Sequence, residues 1–138
     1  MNKEEKQLLL KDLCARLLYG VKLRYVEDLV VKKESHTITL NNIYLEHIIN
    51  GDADIKPYLR PMSSMAKNEQ RYIWDTYRPS PLVANFEDAG DVSELLGYCI
   101  INISKAHSFT DWLNAHHFYY RGLIEKGLAL EAPEGMYN

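Results

Sequence analysis

The chain has 138 residues, with 16 Lys and Arg against 19 Asp and Glu, a net charge of −3 and a pI near 5.9. Hydrophobic residues make up 46% and charged residues 25%, enough apolar material for one buried core without disulfides or metal. The acidic balance argues against a dedicated nucleic-acid binder, whose contact face is normally basic.

Ten tyrosines are the compositional oddity. A tyrosine packs its ring while keeping a wet hydroxyl, which suits shallow cores and contact surfaces. Residues 1–60 hold ten basic against nine acidic side chains, and residues 61–138 hold six against ten, a split too small to define a partner. Cys14 and Cys99 stand far apart in apolar sequence and read as reduced core residues of a cytoplasmic protein. The opening Met1-Asn2-Lys3-Glu4-Glu5-Lys6 is too acidic for a secretory signal. No run approaches about 18 apolar residues, so no membrane span is expected.

Asn2, with Glu5 three residues on, forms a capping-box pair ahead of Leu9, Leu10, Leu13, Cys14 and Leu17 at helical spacing. Lys6, Gln7, Lys11, Asp12 and Arg16 fall between them, and Gly20 stands where a left-handed residue ends a helix. The spacing predicts an amphipathic helix over 3–18. The period then changes to two: Val21-Lys22-Leu23-Arg24-Tyr25 alternates as a half-buried strand does. Glu27-Asp28 is a candidate turn. Leu29 to Lys33, Thr37 to Leu40, Ile43-Tyr44-Leu45 and Ile48-Ile49 are rich in β-branched and aromatic residues. Asn50-Gly51 is a type I′ hairpin signal. Residues 21–56 therefore read as a small, bent antiparallel sheet of roughly three to five strands, with a curvature that admits barrel-like closure.

Ile55-Lys56-Pro57-Tyr58-Leu59-Arg60-Pro61-Met62-Ser63-Ser64-Met65 reads as a sheet-to-helix junction, because neither proline can donate to a ladder. Ser63 or Ser64 is placed to cap a helix over 66–77 with Ile73, Trp74 and Tyr77 on its apolar side. Arg78-Pro79-Ser80-Pro81 would stop that helix, and a loop would run to about Asp91. Val92 to Ile103 fits helix and strand equally. Ser108 with Asp111 forms a second capping pair, opening a helix through Phe118. Leu123 to Lys126 reads as a helical turn between glycines, and Leu128 to Glu131 as a final strand before Pro133. The fold class expected is α+β in a single domain over 1–138: helix and small sheet in 1–60, a mainly helical part in 61–138.

Chemistry-bearing residues are scattered. His107, Asp111, His116 and His117 include the types from which general bases and metal sites are built. His116 and His117 are adjacent, however, and diverge by about 100° on a helix. Asp52 and Asp54 lack the further ligands of a calcium loop and fit a turn. No zinc-ligand pattern, nucleophile elbow or glycine-rich phosphate cradle is present. No catalytic, metal or cofactor site is therefore expected. Lys22, Arg24, Tyr25, Lys32 and Lys33 offer basic and stacking side chains for a phosphate backbone, although a solvated basic face explains them as well.

Three blocks carry a resemblance. They are Leu8 to Leu17 with Tyr19-Gly20-Val21-Lys22, the Ile55–Met65 stretch, and Trp112 to Phe118 running on through Tyr120 to Leu130. Their order and spacing resemble a family of short uncharacterised bacterial proteins from Bacteroides-type gut anaerobes, often found in prophage or mobile-element surroundings. The resemblance covers nearly the whole chain and implies no assigned activity. In that pattern an acidic residue commonly stands at the position of Tyr119, so no carboxylate role carries over there. The blocks coincide with capped helix, junction and helix–turn elements, which favours maintenance of the fold over a shared active site.

The reading that follows is a small, non-enzymatic, cytoplasmic protein-binding or adaptor protein of prophage or mobile-element type. Its contact residues would be Tyr58, Trp74, Tyr77, Trp112, Phe118, Tyr119 and Tyr120. The partner is an unidentified protein, self-association is compatible with this, and neither membrane nor nucleic acid is favoured. Two alternatives stand beside it: a small hydrolase using His116 or His117 with Asp111, and a weak nucleic-acid binder on the basic sheet face.

Overall fold

The computed structural model describes residues 1–28, 33–51, 54–77 and 103–137. Among these, the chain runs α1 (Lys3–Arg16), β1 (Lys22–Asp28), β2 (Lys33–Thr39), α2 (Asn42–Asn50), β3 (Asp54–Leu59), α3 (Lys67–Tyr77), α4 (Ile103–Ala115) and β4 (Leu130–Glu131). The sheet order is β2-β1-β3-β4. The pairs β1·β2 and β1·β3 are antiparallel, β3·β4 is parallel, and the sheet is open rather than closed into a barrel. The fold is α+β. No helix among the described residues is long and apolar enough to cross a membrane. Leu29–Lys32, Asp52, the segment from Arg78 to Asn102 with Cys99, and the side chains of Lys33, Trp74, Tyr77 and His107 lie outside the described part.

The N-terminal helix forms as its capping pair dictates. Asn2 Oδ1 accepts from Glu5 N at 2.8 Å, and Glu5 Oε2 accepts from Asn2 N at 2.9 Å. A 3₁₀ turn, Leu17–Tyr19, follows α1 and closes on Gly20 at φ 69°, the left-handed conformation glycine adopts without a Cβ penalty. Burial along α1 departs from the expected face. Leu9 and Leu13 are buried, but so are Asp12 and Arg16, while Cys14 is exposed rather than part of the core.

The main correction lies at residues 42–50, which form α2 instead of two strands. Asn41 Oδ1 accepts from Ile43 N and Tyr44 N, capping the helix. Ile48 is buried, with Tyr44 and Leu45 half-buried beside the core, a helical spacing. Gly51, at φ 72°, is the helix terminator, and its N–H bonds to His47 O and Ile48 O. Asn50-Gly51 therefore ends a helix and does not turn a hairpin. Glu27-Asp28 belongs to β1 and makes no turn.

Pro57 lies inside β3, contrary to the expectation that it ends pairing. Strand phase explains this. Leu40 N donates to Val21 O, so odd residues of β1 turn their peptide groups toward β2 and even ones toward β3. Leu23↔Pro57 and Tyr25↔Ile55 are consequently the non-hydrogen-bonded pairs, and the missing Pro57 donor falls on the side away from β1. Pro61 does lie beyond the end of β3. Ser63 and Ser64 do not cap α3. They sit in a 3₁₀ turn, Met62–Ser64, where Ser64 Oγ donates to Pro61 O at 2.7 Å. The Glu69 carboxylate instead accepts from Ala66 N at 3.0 Å at the start of α3. Ser108 and Asp111 lie within α4 and cannot open it, and α4 stops at Ala115, short of Phe118.

The core is built from Leu9, Leu13, Val21, Leu23, Leu40, Ile48, Ile55, Leu59, Leu123, Leu128 and Ala129. Met65, Ile73, Phe109, Leu113 and Phe118 are also buried. One ladder rung is made by a side chain. The rung after Leu23↔Pro57 would join Lys22 to Tyr58. There the Tyr137 hydroxyl accepts from Lys22 N at 2.9 Å and donates to Tyr58 O at 2.6 Å. Burial is the largest influence on that hydroxyl and pushes its pKa up to about 12, so it keeps the proton it donates. Replacing Tyr137 by Phe leaves an amide and a carbonyl unpaired. We expect a loss of about 1–3 kcal/mol in urea denaturation, whereas an unchanged midpoint would show the rung to be dispensable.

Candidate functional site

Helix α4 ends in a paired C-terminal turn. His117 N donates to Asn114 O at 3.1 Å and Phe118 N to Leu113 O at 2.9 Å. His117 occupies the left-handed position at φ 64°, where glycine is usual. The chain beyond it is gripped from two sides. Arg60 N donates to His117 O at 2.8 Å, and Tyr119 N to Arg60 O at 2.9 Å. The Arg60 guanidinium lies 4.0 Å over the Phe118 ring and forms a two-pronged pair with Glu69, at 2.8 and 3.1 Å. Burial alone would raise Glu69, but the hydrogen bonds from Arg60 and Ala66 N, with the Arg60 charge, hold its carboxyl below the usual value.

On the other side, Arg16 Nη2 donates to Phe118 O at 2.7 Å. Asp12 fixes that guanidinium by accepting from Nε at 2.8 Å and Nη2 at 3.2 Å, with both side chains fully buried. Arg121 Nε lies 3.2 Å from Asp12 Oδ1 as an ion pair, without the alignment of a hydrogen bond. Arg121 also donates to the Tyr120 hydroxyl at 3.1 Å, which donates to Asn114 Oδ1 at 2.8 Å. Two guanidiniums share one carboxylate. Burial first, then the charges of Arg16, His116, Arg60 and Lys22, lower the His117 pKa to about 4. The neutral ring stacks on Tyr137, with centroids 3.9 Å apart.

The predicted contact aromatics are dispersed by this arrangement. Phe118 is fully buried beneath Arg60, so it is a core residue and not a contact surface. Tyr119 is half-buried against the core, Tyr120 is held by Asn114 and Arg121, and Tyr58 gives its carbonyl to Tyr137. Trp74 and Tyr77 fall outside the described side chains. Trp112 does stand in an aromatic ledge. Its ring stacks on His116 at 4.0 Å and on Tyr72 at 5.9 Å, above Phe118 at 5.8 Å. Tyr72, 48% exposed, escaped the sequence reading. Its signal is its place next to Ile73, a buried residue of α3, about 100° around the helix.

Among the described side chains the histidine–aspartate grouping does not assemble. His116 Nδ1 donates to Trp112 O at 2.9 Å, His117 faces Tyr137, and neither ring bonds Asp111 among the described residues. The His107 side chain lies outside them. No group of three metal-ligating side chains occurs among the described residues. The basic sheet face is divided too. Lys22 and Arg24 lie on one face, where Arg24 reaches Asp54 at 3.9 Å. Tyr25 points to the other, among His36, Tyr44 and His47. Lys32 and the Lys33 side chain lie outside the described residues. No family model, curated protein or solved structure matches the chain.

Breaking the buried pair leaves a charge without its counterion, so Asp12→Asn should cost about 3–5 kcal/mol in chemical denaturation. An exposed substitution such as Lys11→Ala should stay within about 0.5 kcal/mol, and equal effects would refute the burial argument. His117 gives a pH signature. Its imidazole titrates near 4 in the fold against 6.5 for the ordinary group, so the unfolded chain takes up the proton first as pH falls. Stability fully present above pH 6.5 should therefore decline toward pH 4.5, by on the order of 2 kcal/mol after allowance for partial exposure. His117→Asn, which tolerates the left-handed backbone, should flatten that decline in urea midpoints measured at pH 7 and 4.5.

Proposed function

We propose that the protein is a non-enzymatic binding or adaptor module that acts through a protein partner. The observation that carries this reading is the ledge of Tyr72, Trp112 and His116, raised on the Phe118–Arg60–Glu69 base. Tyrosine and tryptophan on a rigid support are the types that dominate interface energetics, because they bury much area at little entropic cost. The hydrolase alternative loses its geometric support, since its histidines are engaged with Trp112 and Tyr137. The nucleic-acid alternative is weakened by the separation of Tyr25 from Lys22 and Arg24 across the sheet. In this reading the setting is a bacterial cytoplasm, in the prophage or mobile-element surroundings that the three sequence blocks imply.

Affinity purification with the wild-type chain as bait, repeated with Tyr72→Ala and Trp112→Ala, tests the proposal. We expect one partner retained by the wild type, at least about tenfold weaker binding for each variant, and unchanged melting for Tyr72→Ala. Equal retention by all three chains, or turnover of a small substrate by the wild type, would overturn it.

A further inference from the structure

A cleft of about 290 Å³ opens beside β3, with Leu9, Ile55 and Leu128 as its apolar floor. It exists because β4 covers only the end of β3, pairing Tyr58 with Leu130 and Leu59 with Glu131. Continued in parallel register, the preceding residues would bring Leu128 opposite Lys56. They turn away instead: Leu128 N and Ala129 N both donate to Leu123 O, at 2.8 and 3.3 Å. Among the described residues, no strand pairs with the edge of β3 ahead of Tyr58.

The strand phase established above decides which groups face the gap. Lys56 and Asp54 spend their peptide groups on β1, and Pro57 has no N–H. Ile55 alone turns both an N–H and a C=O away from β1 toward the cleft. The residue is only 4% exposed, and no hydrogen bond from the described residues reaches those two groups. Outward main-chain groups at a sheet edge are a template for a further strand, and a donor and acceptor side by side above an apolar floor suit such an occupant.

The geometry points to an extended peptide segment of a partner protein, added to the free edge of β3 through Ile55. An anion would satisfy only the N–H and a cation only the C=O, whereas a second peptide chain supplies acceptor and donor at matching spacing. The apolar floor suits one inward side chain of such a segment. The rim carries Glu5 and Asp54 against Lys56 and Lys126, a balance that complements a segment bearing both signs rather than a ligand of one charge. This inference rests on the protein-binding reading but adds a second contact surface, separate from the Tyr72–Trp112 ledge.

The test titrates a capped pentapeptide, acetyl-Lys-Val-Thr-Val-Glu-amide, into the isotope-labelled chain while amide chemical shifts are followed by NMR. We expect saturable shifts centred on Ile55 and Leu128 and slowed exchange of the Ile55 amide. The same peptide methylated on its central nitrogens should bind at least tenfold more weakly to the unaltered protein. Ile55→Pro, which removes the outward donor while leaving the β1 rungs in place, should have the same effect, and Tyr72→Ala should bind the peptide like the wild type. Absence of shifts at Ile55 up to millimolar peptide, or equal binding of the methylated peptide, would overturn the proposal. If the cleft fails in this way while Tyr72→Ala still loses the purified partner, the binding reading stands and only the strand-addition site falls.

Discussion

A single buried carboxylate sets the architecture around the C-terminal third of the chain. Asp12 lies one helical turn before Arg16 on α1, and its two oxygens aim the guanidinium at the carbonyl of Phe118, 102 residues further along. Arg121 is drawn to the same carboxylate. A buried ion pair of this kind gains little net stability over an apolar pair of the same shape, because both charges are desolvated. What it supplies is direction. Leucines at these positions could pack in several arrangements, whereas a two-pronged pair whose second Nη2 donor is aligned on Phe118 O directs one placement of the segment. Arg60 repeats the device from the opposite side, with Glu69 as its carboxylate and the Phe118 ring as its platform.

The consequence is that a left-handed histidine becomes tolerable. His117 at φ 64° is strained relative to glycine, but its carbonyl is taken by Arg60 N and its ring by Tyr137. Tyr137 in turn completes the rung between Lys22 and Tyr58. The end of α4, the first residues of β1 and the turn that carries Tyr137 are thus joined through one stacked pair. Its chemistry is consistent: a neutral imidazole suits a neighbourhood rich in guanidinium, and a protonated phenol is required for the rung.

Much of this organisation was visible in the sequence wherever local chemistry decides the outcome. The Asn2–Glu5 capping pair, Gly20 and the alternation of Val21 to Tyr25 each produced the element they signalled. Residues 42–50 form a helix against their strand-like composition because Ile43, Ile48 and Ile49 favour strands only weakly, and Asn-Gly serves equally as a helix terminator and a hairpin turn. The deciding signal was Asn41, a cap that a strand reading leaves unused. Asp12 and Arg16 were hidden for a different reason. At i and i+4 they look like a solvated surface pair, and only Phe118 and Arg121, far along the chain, make burial of that pair sustainable.

The two proposed contact surfaces differ in what creates them. The Tyr72–Trp112–His116 ledge is apolar area raised above a base already satisfied by Arg60 and Glu69, so its use depends on which side chains stand there. The cleft beside β3 is a deficit: among the described residues the outward main-chain groups of Ile55 have no partner, because Leu128 N bonds to Leu123 O instead. Such a deficit does not depend on the identity of the side chain at position 55, since the peptide groups persist through any substitution except proline. Variation at the ledge would therefore retune partner choice, whereas the edge of β3 would accept extended segments of many sequences. A chain with both features would join a general grip on main chain to a selective grip on side chains, the division of labour by which strand-adding modules combine affinity with specificity.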